Sequence, residues 1–479
     1  MTKNKRTIWI ILTLALILTI IACAINPVSG KKELMLFSEK QEIAMGKETD
    51  QQIRQQFGIY ESKGLNEYVN GVGQQMVPYS HRPNLKHHFA VLDTPVVNAF
   101  AAPGGFIYVT RGIMALMNSE AELAAVLGHE MGHVAARHSV KQLSGQLLAS
   151  IGLMLGSALS KDVAKFAGLA GIGMQLLFLK FSRSDEYQAD SLGIRYARQA
   201  AYSPGEMLRF FTALENMSAE SGGSRLPSFL STHPLTKARI AKVKEMVSSQ
   251  DVRLAVKKEP YLHQVDGMVY GENPRQGYAE NGVFYHPEMA FTFTIPTGWV
   301  VENTPKQVAV NEKDSKAALI LQAEASNQDL DQYLQEKSKE FGQAELLQAN
   351  REAVNQFPSR HSYYRVPQEQ NEPLAVSLTC IRKDNMIYSF IGLSAYSTAN
   401  IYQPVLNRAI HSFKLLNDPH YLNRGPQRLS LLRPTGRQTL QTLMSNAGVN
   451  QKLWKQLAVF NSIGLNVVPE SGKLIKLVK

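Results

Sequence analysis

The chain has 479 residues, enough for about three domains at ~150 residues each. Hydrophobic residues make up 44% and charged residues 19%, which excludes a mainly disordered or collagen-like chain. Two cysteines, Cys23 and Cys380, exclude a disulfide framework and any CxxC metal knuckle, so a metal site has to use histidines and carboxylates. The net charge of +11 suits an anionic membrane surface or nucleic acid, but 40 acidic residues dilute it.

The N-terminus reads as a secretory signal. Lys3, Lys5 and Arg6 form a positive start, and Ile8 to Ile21 is apolar apart from Thr13 and Thr19. That run is shorter than the ~20 residues a membrane-spanning helix needs. It ends Ile20-Ile21-Ala22-Cys23, which resembles a bacterial lipobox. The resemblance implies that residues 1–22 are removed and that Cys23 carries a lipid. Cleavage there takes three positive charges from +11 and leaves +8. Ala24 stands where an aspartate would favour inner-membrane retention, so the expected location is the periplasmic side of the outer membrane.

Residues 23–37 read as a polar tether with Pro27 and Gly30. Ser38 with Gln41 predicts a capping box, and Gly58 a helix stop. A second helix follows, with Leu65, Tyr68, Val69, Val72 and Met76 on one face. Strands are expected over His88–Leu92, Val96–Ala101 and Phe106–Thr110, with Pro103-Gly104-Gly105 as a hairpin turn. Ser119 with Glu122 predicts a second capping box, opening an amphipathic helix through His133. Residues 140–180 read as a pair of core helices. Helices are then expected over 182–198, 206–217 and 236–248, with a flexible loop at 218–228. From about 260 strands dominate, with helices near 329–341 and 398–413. The last 55 residues read strand, helix, helix, strand.

The strongest chemical signal is His129-Glu130-Met131-Gly132-His133. Residues four apart share a helix face, so both imidazoles can reach one Zn²⁺. Glu130 is placed beside them to take a proton from an attacking water. A catalytic zinc needs a third protein ligand. A metzincin pattern would need Gly at 136 and His at 139, where this chain has Ala136 and Ser139. The other pattern is a glutamate on a downstream helix with an aspartate four later, and Glu186 and Asp190 supply it. Glu186 would bind zinc, and Asp190 would accept a hydrogen bond from His129.

HExxH followed by Ser182-Arg183-Ser184-Asp185-Glu186-Tyr187-Gln188-Ala189-Asp190, with Asn98-Ala99-Phe100-Ala101-Ala102-Pro103-Gly104-Gly105 upstream and Thr232-His233-Pro234 downstream, resembles a known family. It is that of the HtpX, CAAX prenyl and Oma-type zinc metallopeptidases, and within it the periplasmic lipoprotein branch of the β-barrel assembly-enhancing protease. The resemblance covers roughly residues 35–250. It implies one zinc per chain and hydrolysis of peptide bonds in misfolded or misassembled envelope proteins. It makes Asn98, Ala99, Phe100 and Ala101 a substrate-pairing edge strand, which would read extended backbone by β-augmentation. It places His233 where relatives carry a histidine that closes onto the zinc or stabilises an oxyanion, with Arg239 as a helper. The remaining nine histidines are expected to be structural, and His138 to point off the ligand face. No tetratricopeptide repeats follow, so that branch's partners do not carry over.

The expected fold is multidomain α+β. Residues 38–255 form a mostly helical zincin domain with a small sheet. Residues 260–420 form an α+β domain faintly similar to PsbP and Mog proteins, through Phe291 to Trp299. Residues 425–479 are similar to a LysM module, a class that often binds peptidoglycan. The alternative to an active endopeptidase is a latent protease, held shut by His233 and acting as a chaperone or peptidoglycan-binding envelope protein. Nucleic acid is not an expected partner, because no basic and aromatic stripe appears.

Overall fold

The computed structural model describes residues 23–156, 180–220, 228–368 and 371–479. The signal segment 1–22 and the second of the expected core helices in 140–180 lie outside the described residues. The chain divides into two compact units, Met1–Gly271 with Gln427–Lys479, and Glu272–Pro426. Among the described residues no helix is long and apolar enough to cross a membrane.

Among the described residues of the first unit, a hairpin comes first, β1 (Cys23–Ile25) paired with β2 (Lys32–Leu34), within the segment read as a tether. Helix α1 (Glu39–Phe57) has the expected capping box at Ser38 and stops at Gly58 with φ 69°. Helix α2 (Lys63–Met76) buries Leu65, Val69, Val72 and Met76, the face its periodicity marks. Burial of each such side chain stabilises by about 1.5–3 kcal/mol.

A three-stranded sheet follows: β3 (His88–Leu92), β4 (Ala99–Ala102) and β5 (Phe106–Thr110), in the order β3-β5-β4. β3 runs parallel to β5 and β4 antiparallel, which leaves β4 at the edge. β4 starts three residues later than the sequence suggests. The reason is Thr110, whose Oγ1 donates to Val96 O at 2.5 Å and accepts from Asn98 N at 3.2 Å. That side chain takes backbone groups that a longer ladder would use, and Asn98 stands just before the strand.

Helices α3 (Arg111–Leu116) and α4 (Glu120–Ala135) come next. Ser119 Oγ accepts from Glu122 N at 3.1 Å, but the Glu122 carboxylate takes Asn118 N instead of closing the box. Every residue of α4 is buried, so it is the central helix of the unit and not an amphipathic one. Around it lie α5 (His138–Gly156), α6 (Arg183–Gln199), α7 (Glu206–Glu220), α8 (Ser228–Thr232), α9 (Lys237–Met246) and α10 (Lys258–Val265).

Residues 427–479 belong to the same unit. Leu429–Leu432 pairs antiparallel with Ile475–Val478, and helices Leu440–Asn446 and Trp454–Asn461 lie between them in sequence. Lys476 is fully buried and donates to Ala115 O and Met117 O, each at 2.7 Å. Its ammonium therefore satisfies open carbonyls at the end of α3.

The second unit is built on an eight-stranded antiparallel sheet, with Leu374–Lys383 and Met386–Ala395 as its central hairpin. Side chains alternate between two cores, as strand geometry requires. Leu378, Cys380 and Ile387 meet Leu330 and Tyr333 of the helix Leu330–Ser338. Ile381, Tyr388 and Phe390 meet Leu406 and Ile410 of the helix Ala399–His411 and Phe291 and Phe293 of a smaller sheet. Cys380 is a buried free thiol, and burial pushes it up to about 12.

Candidate metal centre

Helices α4 and α6 come unusually close, and small residues allow it. A Cβ on Gly132 would lie 2.9 Å from Ala189 Cα, and one on Gly193 would lie 2.8 Å from His129 N. This contact sets the HExxH motif directly against Glu186 and Asp190. His129 Nε2 and His133 Nε2 are 3.1 Å apart. Glu186 Oε1 is 3.5 Å from His133 Nε2, and Glu186 Oε2 is 3.6 Å from His129 Nε2. His233, from the turn after α8, enters the same group. Its Nδ1 is 2.9 Å from Glu186 Oε1 and 3.3 Å from His129 Nε2. The donor atoms of these four residues all lie within 4.8 Å of one another.

Glu130 sits beside them. Its carboxylate is buried, and neither oxygen has a hydrogen-bond partner; the nearest cationic candidate is His233 Nε2 at 3.7 Å. Burial pushes the Glu130 carboxyl up, and pushes His133 well down, so that imidazole is neutral. Burial alone would also depress His233, but Glu186 and Glu130 outweigh it and hold it up. Burial opposes ionisation of Glu186, and His233, His129 and Arg239 overcome it.

A supporting layer orients the group. Asp190 Oδ1 accepts from His129 Nδ1 at 2.9 Å. Arg239 donates to Asp190 through Nε and Nη2, both at 2.8 Å, and Nη1 lies 2.7 Å from Glu186 Oε2. Asp190 is drawn down to about 2; burial opposes this, and the bonds from His129 and Arg239 prevail. Arg239 Nη1 also donates to Pro234 O at 3.1 Å, which ties the turn carrying His233 to the same cation. Phe229 stacks on His233 at 4.8 Å, and Phe181 lies 4.1 Å from His133, centroid to centroid.

The edge strand is adjacent. Ala101, Ala102 and Pro103 border a small cavity with His133 and Val134. Phe229 N donates to Val97 O at 3.0 Å, so the segment leading to His233 is tied to the approach of β4. Asn98 Oδ1 is buried without a partner. The side chain of Cys23 is not among those described.

Residues 64–247 match the family model described as Peptidase family M48. The matched segment holds all the residues of the metal centre. The β-barrel assembly-enhancing protease of Yersinia pestis is 29% identical over 231 residues, which is 46% of this chain and 47% of that protein. The mitochondrial metalloendopeptidase OMA1 of Schizosaccharomyces pombe is 33% identical over 189 residues, 39% of this chain and 54% of that one. The chain spans about half the length of the curated relatives it matches. Among solved structures, cyanobacterial PsbP of Synechocystis sp. PCC 6803 is 14% identical with a TM-score of 0.25, covering 29% of this chain and 91% of that one, a likeness too low to carry an argument.

M48 domains are zinc-dependent, and the donor set here fits that metal. Two imidazole nitrogens and a carboxylate converge, as catalytic zinc sites require, and a partnerless buried carboxylate stands next to them. Sequence reasoning missed two contributors. One is the small-residue seam, visible in retrospect as Gly128-x-x-x-Gly132 facing Ala189-x-x-x-Gly193. The other is His138, whose Nδ1 lies 2.9 Å from His133 Nδ1.

Proposed function

We propose that this chain is a zinc-dependent endopeptidase of the bacterial envelope, held closed by His233. The observation that carries the reading is the convergence of His129, His133 and Glu186 beside the unpartnered Glu130. His129 Nε2, His133 Nε2 and the Glu186 carboxylate would hold the metal. Bound zinc would supply the Lewis acidity that polarises a water and a peptide carbonyl. Glu130 would take the proton of the attacking water and pass it to the leaving amine. Asp190 and Arg239 would keep His129 and Glu186 in place while this happens.

Substrate would bind as an added strand on β4, through the backbone of residues 98–101. Main-chain pairing reads extended polypeptide with little side-chain selectivity, which suits misfolded or misassembled proteins. The small residues Ala99, Ala101 and Ala102 support this, since they impose few side-chain demands along the edge. The envelope location is supported by the signal-like N-terminus and by a relative named for β-barrel assembly.

Latency is supported by His233. Its Nδ1 lies among the donor atoms, 2.9 Å from Glu186 Oε1 and 3.3 Å from His129 Nε2, and would compete with a water or a substrate carbonyl for a bound metal. Opening would require the turn at 232–234 to withdraw and take the imidazole away from Glu186 and His129. The test is zinc content together with casein cleavage in the wild type, Glu130→Gln and His233→Ala. The expected pattern is zinc in all three, no cleavage by Glu130→Gln, and faster cleavage by His233→Ala. Casein cleavage by Glu130→Gln at the wild-type rate would sink the reading.

A further inference from the structure

The helix carrying HExxH stops at Ala135, and Arg137 follows with φ 57°. That left-handed conformation costs a residue with a Cβ about 1–2 kcal/mol. Anchors on the Arg137 guanidinium offset the cost. Nε donates to Glu42 Oε2 and Nη2 to Phe37 O, both at 2.8 Å. Glu42 is itself buried and held by Arg82 Nη1 at 2.8 Å. The kink sets the direction of the next helix and of its first residue, His138. On one continuous helix a residue five positions on would sit about 140° around from His133. After the kink, the His138 ring lies directly behind the His133 ring, Nδ1 to Nδ1 at 2.9 Å.

The proton positions follow from the partners. His138 Nε2 faces Gln188 Oε1 at 2.9 Å and Asp185 Oδ1 at 3.5 Å. A carboxylate only accepts, so Nε2 carries the hydrogen. A neutral imidazole has one N–H, so Nδ1 of His138 is an acceptor. His133 Nδ1 must then donate to it, which leaves His133 Nε2 as a bare lone pair facing His129 Nε2 and Glu186. His129 reaches the same state through Asp190.

We infer that His138, oriented by Gln188 and Asp185, is a positioning residue that fixes His133 in the tautomer presenting Nε2 to the metal. This rests on the zinc reading above. The two zinc histidines thus have different supports: a carboxylate for His129, and a second imidazole for His133.

The test is zinc affinity, measured by chelator competition on the full chain, for the wild type, His138→Phe and His138→Asn. The melting temperature of each metal-free protein is measured alongside. Phenylalanine keeps the ring but cannot accept, so His133 Nδ1–H loses its partner or moves to Nε2. Asparagine places Oδ1 where Nδ1 was and still accepts. His138→Phe is expected to bind zinc about 10–100-fold more weakly, the usual effect of losing an outer-shell partner. His138→Asn is expected to recover most of that loss, with similar melting of both metal-free variants. The inference is overturned if His138→Phe binds as tightly as the wild type, or if His138→Asn is as weak as His138→Phe. A wild-type chain that binds no zinc would instead sink the underlying metal reading.

Discussion

Gly132 lies against Ala189 so closely that a Cβ on the glycine would stand 2.9 Å from both the Cα and the carbonyl oxygen of the alanine. The zinc motif and its downstream glutamate can share one site only because α4 and α6 touch backbone to backbone here. Gly132→Ala should gain about 1 kcal/mol of helix propensity and lose about 1–3 kcal/mol to overpacking. The net loss is therefore up to about 2 kcal/mol, while the metal donors separate. We expect weaker zinc binding with only a modest shift in urea midpoint. Wild-type zinc affinity in this variant would show that the seam does not set the site.

Asp190 and Arg239 form a buried pair, each 2% exposed. Removing the Asp190 carboxylate takes two hydrogen bonds from the buried Arg239 guanidinium, which keeps Glu186 and Pro234 O as partners, so the cost is about 1–3 kcal/mol. Asp190→Ala should therefore destabilise the fold by about that much, and it should also weaken zinc binding through His129. Urea unfolding of the metal-free protein separates the first effect from the second.

His87 gives the first unit a pH signature away from the metal site. It is 4% exposed, stacks on Phe89, and its Nε2 has no partner. Burial pulls it down to about 4 from 6.5. Between those values the unfolded chain binds more protons than the folded one, so stability falls as pH drops from 6.5 to 4 and flattens below. The full effect is about 3–4 kcal/mol, because each tenfold loss of proton affinity on folding corresponds to ~1.4 kcal/mol. His87→Phe should abolish this part of the slope in urea melts at about pH 4, 5 and 6.5. An unchanged slope would place the sensitivity elsewhere.

Lys476 ties the C-terminal strand to the end of α3 by two bonds of 2.7 Å to carbonyls. Lys476→Met keeps much of the volume and leaves those acceptors buried and unpaired, at about 1–3 kcal/mol each. A loss of about 2–6 kcal/mol in a single cooperative transition is expected for the unit formed by Met1–Gly271 and Gln427–Lys479. Separate melting of residues 427–479 would contradict it.

Local chemistry is where the sequence speaks for itself. The box at Ser38, the stop at Gly58, the strand His88–Leu92 and the buried face of α2 each depend on residues within a turn or two, and each is legible from spacing alone. So is the pairing of His129 with His133, because four residues bring two side chains to one helix face. What surrounds them was settled only by tertiary packing. The seam of Gly132 and Gly193 decides which face of α6 meets the motif. His233 reaches His129 across 104 positions of chain. His138 lies behind His133 because Arg137 takes a left-handed turn that Glu42, 95 residues earlier, holds in place. Side-chain spacing encodes neighbours along a helix or strand. It does not encode how closely two backbones approach, or where a kink aims the next ring, since those depend on buried contacts made by distant parts of the chain.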